Sequence, residues 1–190
     1  METQHKPWIV EKEEVAFKHP FMEVTLQQVR LPDNRVIPDW PIVSLRDYIN
    51  VVALDGAGKV LIIEGYKHGV GRSSWQILGG YTEDGEDPLA AAKRELLEET
   101  GLVSNEWLPL GTFIADANRR ASKATFFLAT NCTKVAEPDN DDLEEYTLHW
   151  HTQEEVKAAL NDGRIQVLGY ATPLALAFLQ IGQKSLSSQE

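Results

Sequence analysis

Along the first half of the chain the apolar positions recur with the short period of β-strands. Phe21 to Leu31 (FMEVTLQQVRL) partly alternates and predicts a strand. Pro32-Asp33-Asn34 predicts a turn, and Arg35 to Val43 returns with Pro38 and Pro41 inside it. Proline cannot donate to a sheet ladder, so this return belongs to an edge or an irregular arm. Asp47 to Asp55 (DYINVVALD) and Lys59 to Glu64 (KVLIIE) are rich in β-branched residues and predict two strands, joined by the hairpin-type turn Asp55-Gly56-Ala57-Gly58. Gly65 to Arg72 (GYKHGVGR) holds three glycines and reads as a loop, and Ser74 to Leu78 leads into Gly79-Gly80.

The period then lengthens. Leu89, Ala92 and Leu96 recur at spacings of three and four, one apolar stripe of a helix. Asp87-Pro88 is a start signal, a capping side chain followed by a proline that needs no N–H, and Gly101 is the matching stop. Glu106 to Ala115 reads as a connection and strand, Asp116 to Lys123 as a polar loop, and Ala124 to Ala129 and Tyr146 to Trp150 as strands. Thr152 to Leu160 predicts a helix with a capping box of Thr152 and Glu155, stopped by Asn161-Asp162-Gly163. Thr172-Pro173 predicts the start of a last helix, and Lys184 to Glu190 a frayed tail. There is no internal repeat and no low-complexity segment.

Composition narrows this picture. A chain of 190 residues with 43% hydrophobic content suggests one globular domain with a small appendage. No apolar run approaches the ~20 residues of a membrane helix, and METQHKPWIVEKEE has no apolar core for a signal peptide. The single cysteine, Cys132, ends an apolar strand-like run and reads as an inert, partly buried thiol; together these features make the cytoplasm the expected address. The net charge of −11 counts against a nucleic-acid partner, which needs a basic footprint. The acidity is uneven: Glu83 to Glu99 holds seven acids and Glu137 to Glu145 six, together 13 of the 29. A cation between those stretches would relieve repulsion in both.

Glu95, Glu98 and Glu99 fall together on the face beside the apolar stripe. Three carboxylates there repel one another, and oxygen-only donors suit a hard cation such as Mg²⁺. Taken alone, the three describe a solvated acidic face better than a site. The full spacing is more specific: Gly80, five residues, Glu86, seven residues, Arg94-Glu95-Leu96, one residue, Glu98-Glu99, one residue, Gly101-Leu102. This resembles the box of the Nudix hydrolases, with every defining position filled.

The resemblance implies an α/β/α sandwich with a mixed β-sheet, here residues 46–182, after a small N-terminal β arm (1–45) and before a flexible tail (183–190). It implies a loop–helix–loop that binds Mg²⁺, or Mn²⁺ in its place, and cleaves a diphosphate linking a nucleoside to another group. Glu95, Glu98, Glu99 and the carbonyl of Gly79 would hold the metal. Gly80, Glu86, Arg94 and Gly101 would be structural, with Glu86 and Arg94 tying loop to helix by a salt bridge. Leu78 stands where many relatives have proline. The catalytic base would come from Glu98 or Glu99, or from the later acidic loop, where Asp141, Asp142 and Glu144 are the matches and the register leaves the choice open.

Within the family, the arm, the GYKHGVGR stretch and the late acidic loop resemble the ADP-ribose pyrophosphatase and nucleoside diphosphate sugar hydrolase branch. That branch implies a nucleotide-sugar substrate and a homodimer built through the arm, with no membrane partner. Lys67 would face the diphosphate; Arg46, Arg119 and Arg120, with Asn118 and Lys123, would meet phosphate or sugar. Trp40 would stack on a nucleobase or anchor the arm. Nucleoside triphosphates, NADH and capped RNA 5′ ends are the alternative substrates, although one cysteine cannot build the zinc site of an NADH pyrophosphatase. A regulator that binds ADP-ribose without cleaving it is the reading from another class; such proteins commonly carry a degraded box, and this box is intact.

Overall fold

A computed structural model describes residues 5–138 and 145–187. The chain forms two compact units: the residues up to Asp47 together with Ile114–Lys123, and Tyr48–Phe113 together with the residues from Ala124 onward.

The first unit is a three-stranded antiparallel sheet in the order β1 (Ile9–His19), β2 (Met22–Arg30), β3 (Val36–Leu45). Between β2 and β3 the chain reverses at Asn34, which adopts a left-handed φ of 66°, while Asp33 Oδ1 accepts from Arg35 N at 3.1 Å. Strand β3 is an edge, and its register with β2 shifts where Pro38 falls. Strand β1 has no counterpart in the sequence reading. Its IVEKEEVAFKH is exposed at every position, so no buried face imposes an apolar alternation, and the Glu/Lys content hides the strand. The turn at 118–119 belongs to this unit: Val43 N donates to Arg119 O at 2.9 Å and Trp40 Nε1 to Asn118 O at 3.2 Å.

The second unit contains β4 (Tyr48–Ala53), β5 (Val60–Lys67), β6 (Arg72–Gln76), β7 (Leu78–Tyr81), α1 (Pro88–Thr100), β8 (Leu102–Val103), most of β9 (Glu106–Asp116) and β10 (Ala121–Thr130), then β11 (Thr133–Lys134), β12 (Tyr146–His151), α2 (Gln153–Asp162) and α3 (Leu168–Ser187). One sheet runs β7-β4-β10-β9 and is mixed, β4 lying parallel to β10 and antiparallel to β7. A second sheet, β12-β5-β6, is antiparallel, and β8 pairs with β11. Alternation along β4 divides the core. Ile49, Val51 and Ala53 pack with Ala91, Ala92 and Leu96 of α1. Val52 packs with Val156 and Ala159 of α2 and with Leu174 and Ala177 of α3. Helices thus cover both faces, the α/β/α arrangement with a mixed sheet that the sequence implied. Cys132 is buried, which pushes its thiol up to about 11 and leaves it inert.

Several element boundaries differ from the sequence reading, β10 for instance beginning at Ala121 rather than Ala124. Gly65 to Arg72 is a loop only at 68–71: β5 continues through Lys67 and β6 begins at Arg72, with Lys67 paired to Arg72. Gly65 serves a close approach, since a Cβ there would lie 3.0 Å from Glu145 O and 3.1 Å from Tyr146 Cβ on β12. Helix α3 begins at Leu168, placing Pro173 inside it. Pro173 is fully buried beside Leu174, and that burial outweighs one missing N–H. The same helix runs to Ser187, through residues the sequence assigned to a tail.

Candidate active site

The site begins with two glycines on β7. A Cβ on Gly80 would overlap the Glu95 carboxylate, and one on Gly79 would overlap the Asn50 side-chain amide. Both must be glycine for the side chains that lie against them. After β7 the chain turns at Glu83–Glu86, where Glu83 N donates to Glu86 Oε2 at 2.9 Å. Asp87 then caps α1, accepting from Ala90 N at 3.0 Å, and Pro88 follows in the first turn. The helix ends at Gly101, whose φ of 69° permits the left-handed cap. A Cβ there would strike Ala136 O. From β12, Tyr146 Oη donates to Glu99 O at 3.0 Å and fixes the end of the helix.

Arg94 organises the carboxylates. Its Nε donates to Glu86 Oε1 at 3.1 Å and Nη2 to Glu86 Oε2 at 3.2 Å, a two-bond pair that joins the loop to the helix. Its Nη1 donates to Glu95 Oε1 at 2.8 Å and to Glu98 Oε2 at 3.1 Å. One guanidinium therefore serves three carboxylates, with Glu99 close by on the helix. Its own pKa is raised above the arginine value, by the Glu86 bonds first. The Glu86 carboxyl is held below the usual range by the Arg94 bonds. Glu95 moves the other way: burial raises its pKa, and Arg94 offsets this only in part.

A cavity of about 480 Å³ opens beside this helix. It is lined by Glu95 and Glu99 from α1, Gly79 and Gly80 from β7, and Lys67 from the end of β5. It is also lined by neutral residues, Tyr48 and Asn50 from β4 and Gly169 and Tyr170 from α3. All of these residues belong to the second unit. Among the described residues no three of His, Cys, Asp and Glu converge as a ready metal cluster. Glu95 and Glu98 are instead turned toward Arg94.

A family profile described as "NUDIX domain" matches residues 44–168, well over half the chain. The chain belongs to the Nudix family. Membership, together with the relatives below, supports a pyrophosphohydrolase, and Nudix hydrolases generally use divalent metal ions. An ADP-ribose pyrophosphatase of Mycobacterium tuberculosis is 28% identical over 140 residues, covering 73% of this chain and 67% of that protein. An ADP-ribose pyrophosphatase of Bacillus subtilis is 24% identical over 181 residues, covering 95% of this chain and 96% of that protein. The crystal structure of an ADP compounds hydrolase superposes with a TM-score of 0.78 at 16% identity, covering 95% of this chain and 97% of that one, a likeness of fold.

In this Nudix protein the sequence-derived residues fall into three groups. Lys67, Gly79, Gly80, Glu95 and Glu99 share the cavity, with Glu86, Arg94 and Glu98 tied to it through Arg94. Arg46, Trp40, Arg119 and Arg120 belong to the first unit. There Trp40 is engaged by its own arm, with the Arg119 guanidinium 5.1 Å from its ring centre and Trp8 edge-on at 5.2 Å. These are the contacts of an arm anchor, one of the two readings its sequence allowed. Asp141, Asp142 and Glu144 lie outside the described residues. The sequence reading missed the neutral wall. Its one signal was Asn50, a polar residue inside the apolar strand YINVVA.

Proposed function

We propose that this chain hydrolyses the diphosphate bond of a nucleoside diphosphate sugar, ADP-ribose first, with Mg²⁺, releasing a nucleoside monophosphate and a sugar phosphate. The observation that carries this reading is the cavity itself, which brings a lysine together with two glutamates and a glycine of the box and with Gly79 just before it. Two relatives named ADP-ribose pyrophosphatase, matched over most of this chain, support the choice of substrate.

The donor set fits a hard divalent cation, because every acidic donor is a carboxylate oxygen. The pKa of Glu95 is raised mainly by burial, a cost that a neighbouring cation relieves. Glu95, Glu98 and Glu99, with the carbonyl of Gly79, would hold the ion, and Glu98 is exposed enough to turn from Arg94 toward it. When bound, the cation supplies charge neutralisation at the phosphate oxygens. Lys67 adds a positive charge at the diphosphate. Glu86 and Arg94 keep the loop and helix in one geometry while Glu98 moves. A carboxylate takes the proton of the attacking water, from Glu98 or Glu99 or from Asp141 or Glu144 of the later loop.

We further propose a homodimer formed through the arm. Ile9, Val10, Val15, Phe17 and Phe21 are all exposed there, apolar side chains set among charged ones, and a second copy would cover them. Light scattering tests this, with a dimer mass expected. No helix among the described residues is long and apolar enough to cross a membrane. The proposed compartment, on the single cysteine, is the cytoplasm.

The deciding experiment is AMP release from ADP-ribose with Mg²⁺, beside GDP-mannose, UDP-glucose, NADH and dATP. Preference for ADP-ribose or another sugar nucleotide, abolished by a chelator, is the expected result. Preference for dATP would remove the sugar reading and leave the metal site. Binding of ADP-ribose without cleavage would replace the enzyme by a regulator.

A further inference from the structure

Asn50 is a polar residue at a position built for an apolar one. It lies in the middle of β4 between Ile49 and Val51, is 3% exposed, and points to the α3 side with Tyr48 and Val52. Its Nδ2 donates to Leu78 O at 3.2 Å. That bond fixes the amide, since a flipped carboxamide would set two acceptors against each other. Gly79, its partner across the ladder, lacks the Cβ that would collide with this amide. The other end, Oδ1, is buried and accepts from no donor among the described residues. Tyr48 and Gly169 flank it: a Cβ built on Gly169 would lie 3.5 Å from Oδ1, an ordinary contact, and a tighter 3.2 Å from Tyr48 Oη. Buried acceptors are ordinarily satisfied, and one left alone costs more than an apolar side chain of the same shape. A water or a ligand hydroxyl can supply the missing donor.

We propose that Asn50 Oδ1 is a specificity-determining acceptor for a hydroxyl of the sugar that adjoins the diphosphate. The inference rests on the nucleotide-sugar reading above and deepens it. Oδ1 needs a donor, and phosphate oxygens are acceptors, so phosphate itself is the wrong occupant. Lys67, Glu95 and Glu99 line the same cavity and mark its phosphate end. The group bonded directly to phosphate in such a substrate is a sugar, and its hydroxyls are the donors that lie within one ring of the diphosphate. The exocyclic amine of adenine is a donor too, but a whole ribose separates it from the phosphates.

The test pairs a variant with substrate analogues. Native protein and Asn50→Leu are assayed with ADP-ribose, with its 2′-, 3′-, 1″-, 2″- and 3″-deoxy forms, and with the inosine counterpart that lacks the exocyclic amine. Asn50→Leu is expected to keep its melting temperature within a few degrees and to lose about 10- to 100-fold in kcat/KM for ADP-ribose. In native protein one deoxy analogue is expected to lose a similar factor, and in Asn50→Leu that analogue and ADP-ribose should agree within about threefold. Asn50→Leu working as well as native would overturn the proposal. So would a loss that cancels only with the inosine analogue, which would move the contact to the base. The analogue series on native protein stands even if the variant does not fold: equal rates for all the sugars overturn the proposal there as well. A native protein that cleaves no nucleotide sugar overturns the parent reading and this one together, whereas cleavage without discrimination overturns this one alone.

Discussion

The two walls of the cavity are made in opposite ways. The α1 wall is charged and local: Gly80, Glu95 and Glu99 sit within one loop–helix segment, with Arg94 binding three carboxylates at once. The β4–α3 wall is neutral and assembled from a distance, Asn50 and Gly169 being 119 positions apart. On the charged wall, the Arg94 hydrogen bonds hold the carboxyl of Glu86 down and burial pushes that of Glu95 up, a cost that a cation would relieve. On the neutral wall the Asn50 Oδ1 acceptor has no partner among the described residues, and Gly79 makes room for its amide, which suits recognition rather than chemistry. The division predicts that substitutions on the first wall act on turnover and stability, and on the second on substrate choice.

The largest effect is expected at Glu99. Glu99→Gln removes a charge at the proposed metal and reaction centre while keeping side-chain shape. Turnover should fall at least ~100-fold, as for the loss of a stabilising charge in an active site, with the circular dichroism spectrum unchanged. A folded variant with near-native kcat would break the assignment of chemistry to the charged wall.

That wall could be read from the chain because helical spacing alone brings its residues together. Asp87, Pro88 and Gly101 mark the ends of α1, and 3.6 residues per turn place Glu95, Glu98 and Glu99 on one face. The β-branched runs likewise marked β4 and β5, and Thr152 with Glu155 marked α2. The neutral wall depends on which strand borders which helix, and nothing local encodes that. Where local signals misled, tertiary contacts had overridden them. Gly65 mimics a turn former but admits Tyr146, Pro173 mimics a helix start but is buried inside α3, and the polar β1 is held by pairing with β2. A strand asparagine becomes conspicuous only when Gly79 is seen to yield space to it.

A smaller effect, on stability rather than rate, is expected at Arg94. Arg94→Ala leaves the half-buried Glu95 without its cationic partner and beside Glu86 and Glu98. The expected loss is about 1–3 kcal/mol at neutral pH, below the range for a fully buried pair because the site is partly open to water. Urea denaturation measures it. Arg94→Lys should recover only part, because an ammonium cannot reproduce the forked pair with Glu86. Asn50→Leu, on the neutral wall, removes an orphaned acceptor together with the bond to Leu78 O and should move the urea midpoint less than Arg94→Ala does. Equal losses at both positions would erase the distinction between the walls.

The smallest effect separates Glu95 from Glu86 by pH. The carboxyl of Glu86 is depressed in the folded protein, so its stabilisation is present above the ordinary value of 4.5 and is lost as pH falls through its lower folded value. That of Glu95 is raised, so the folded protein binds its proton more readily than the unfolded chain does. Its burden on stability is complete above the raised pKa and is relieved as pH falls through that value toward 4.5. With a chelator present, Glu95→Gln should therefore gain melting temperature relative to native protein near neutral pH, and the gain should shrink as the pH approaches 4.5. With Mg²⁺ at ten times its dissociation constant, native protein should gain about 1.4 kcal/mol by mass action while Glu95→Gln gains far less. The order of the two proteins then reverses. Melting curves that stay parallel across pH, with and without Mg²⁺, would mean that Glu95 serves Arg94 alone and that the charged wall is a structural ion pair rather than a cation site.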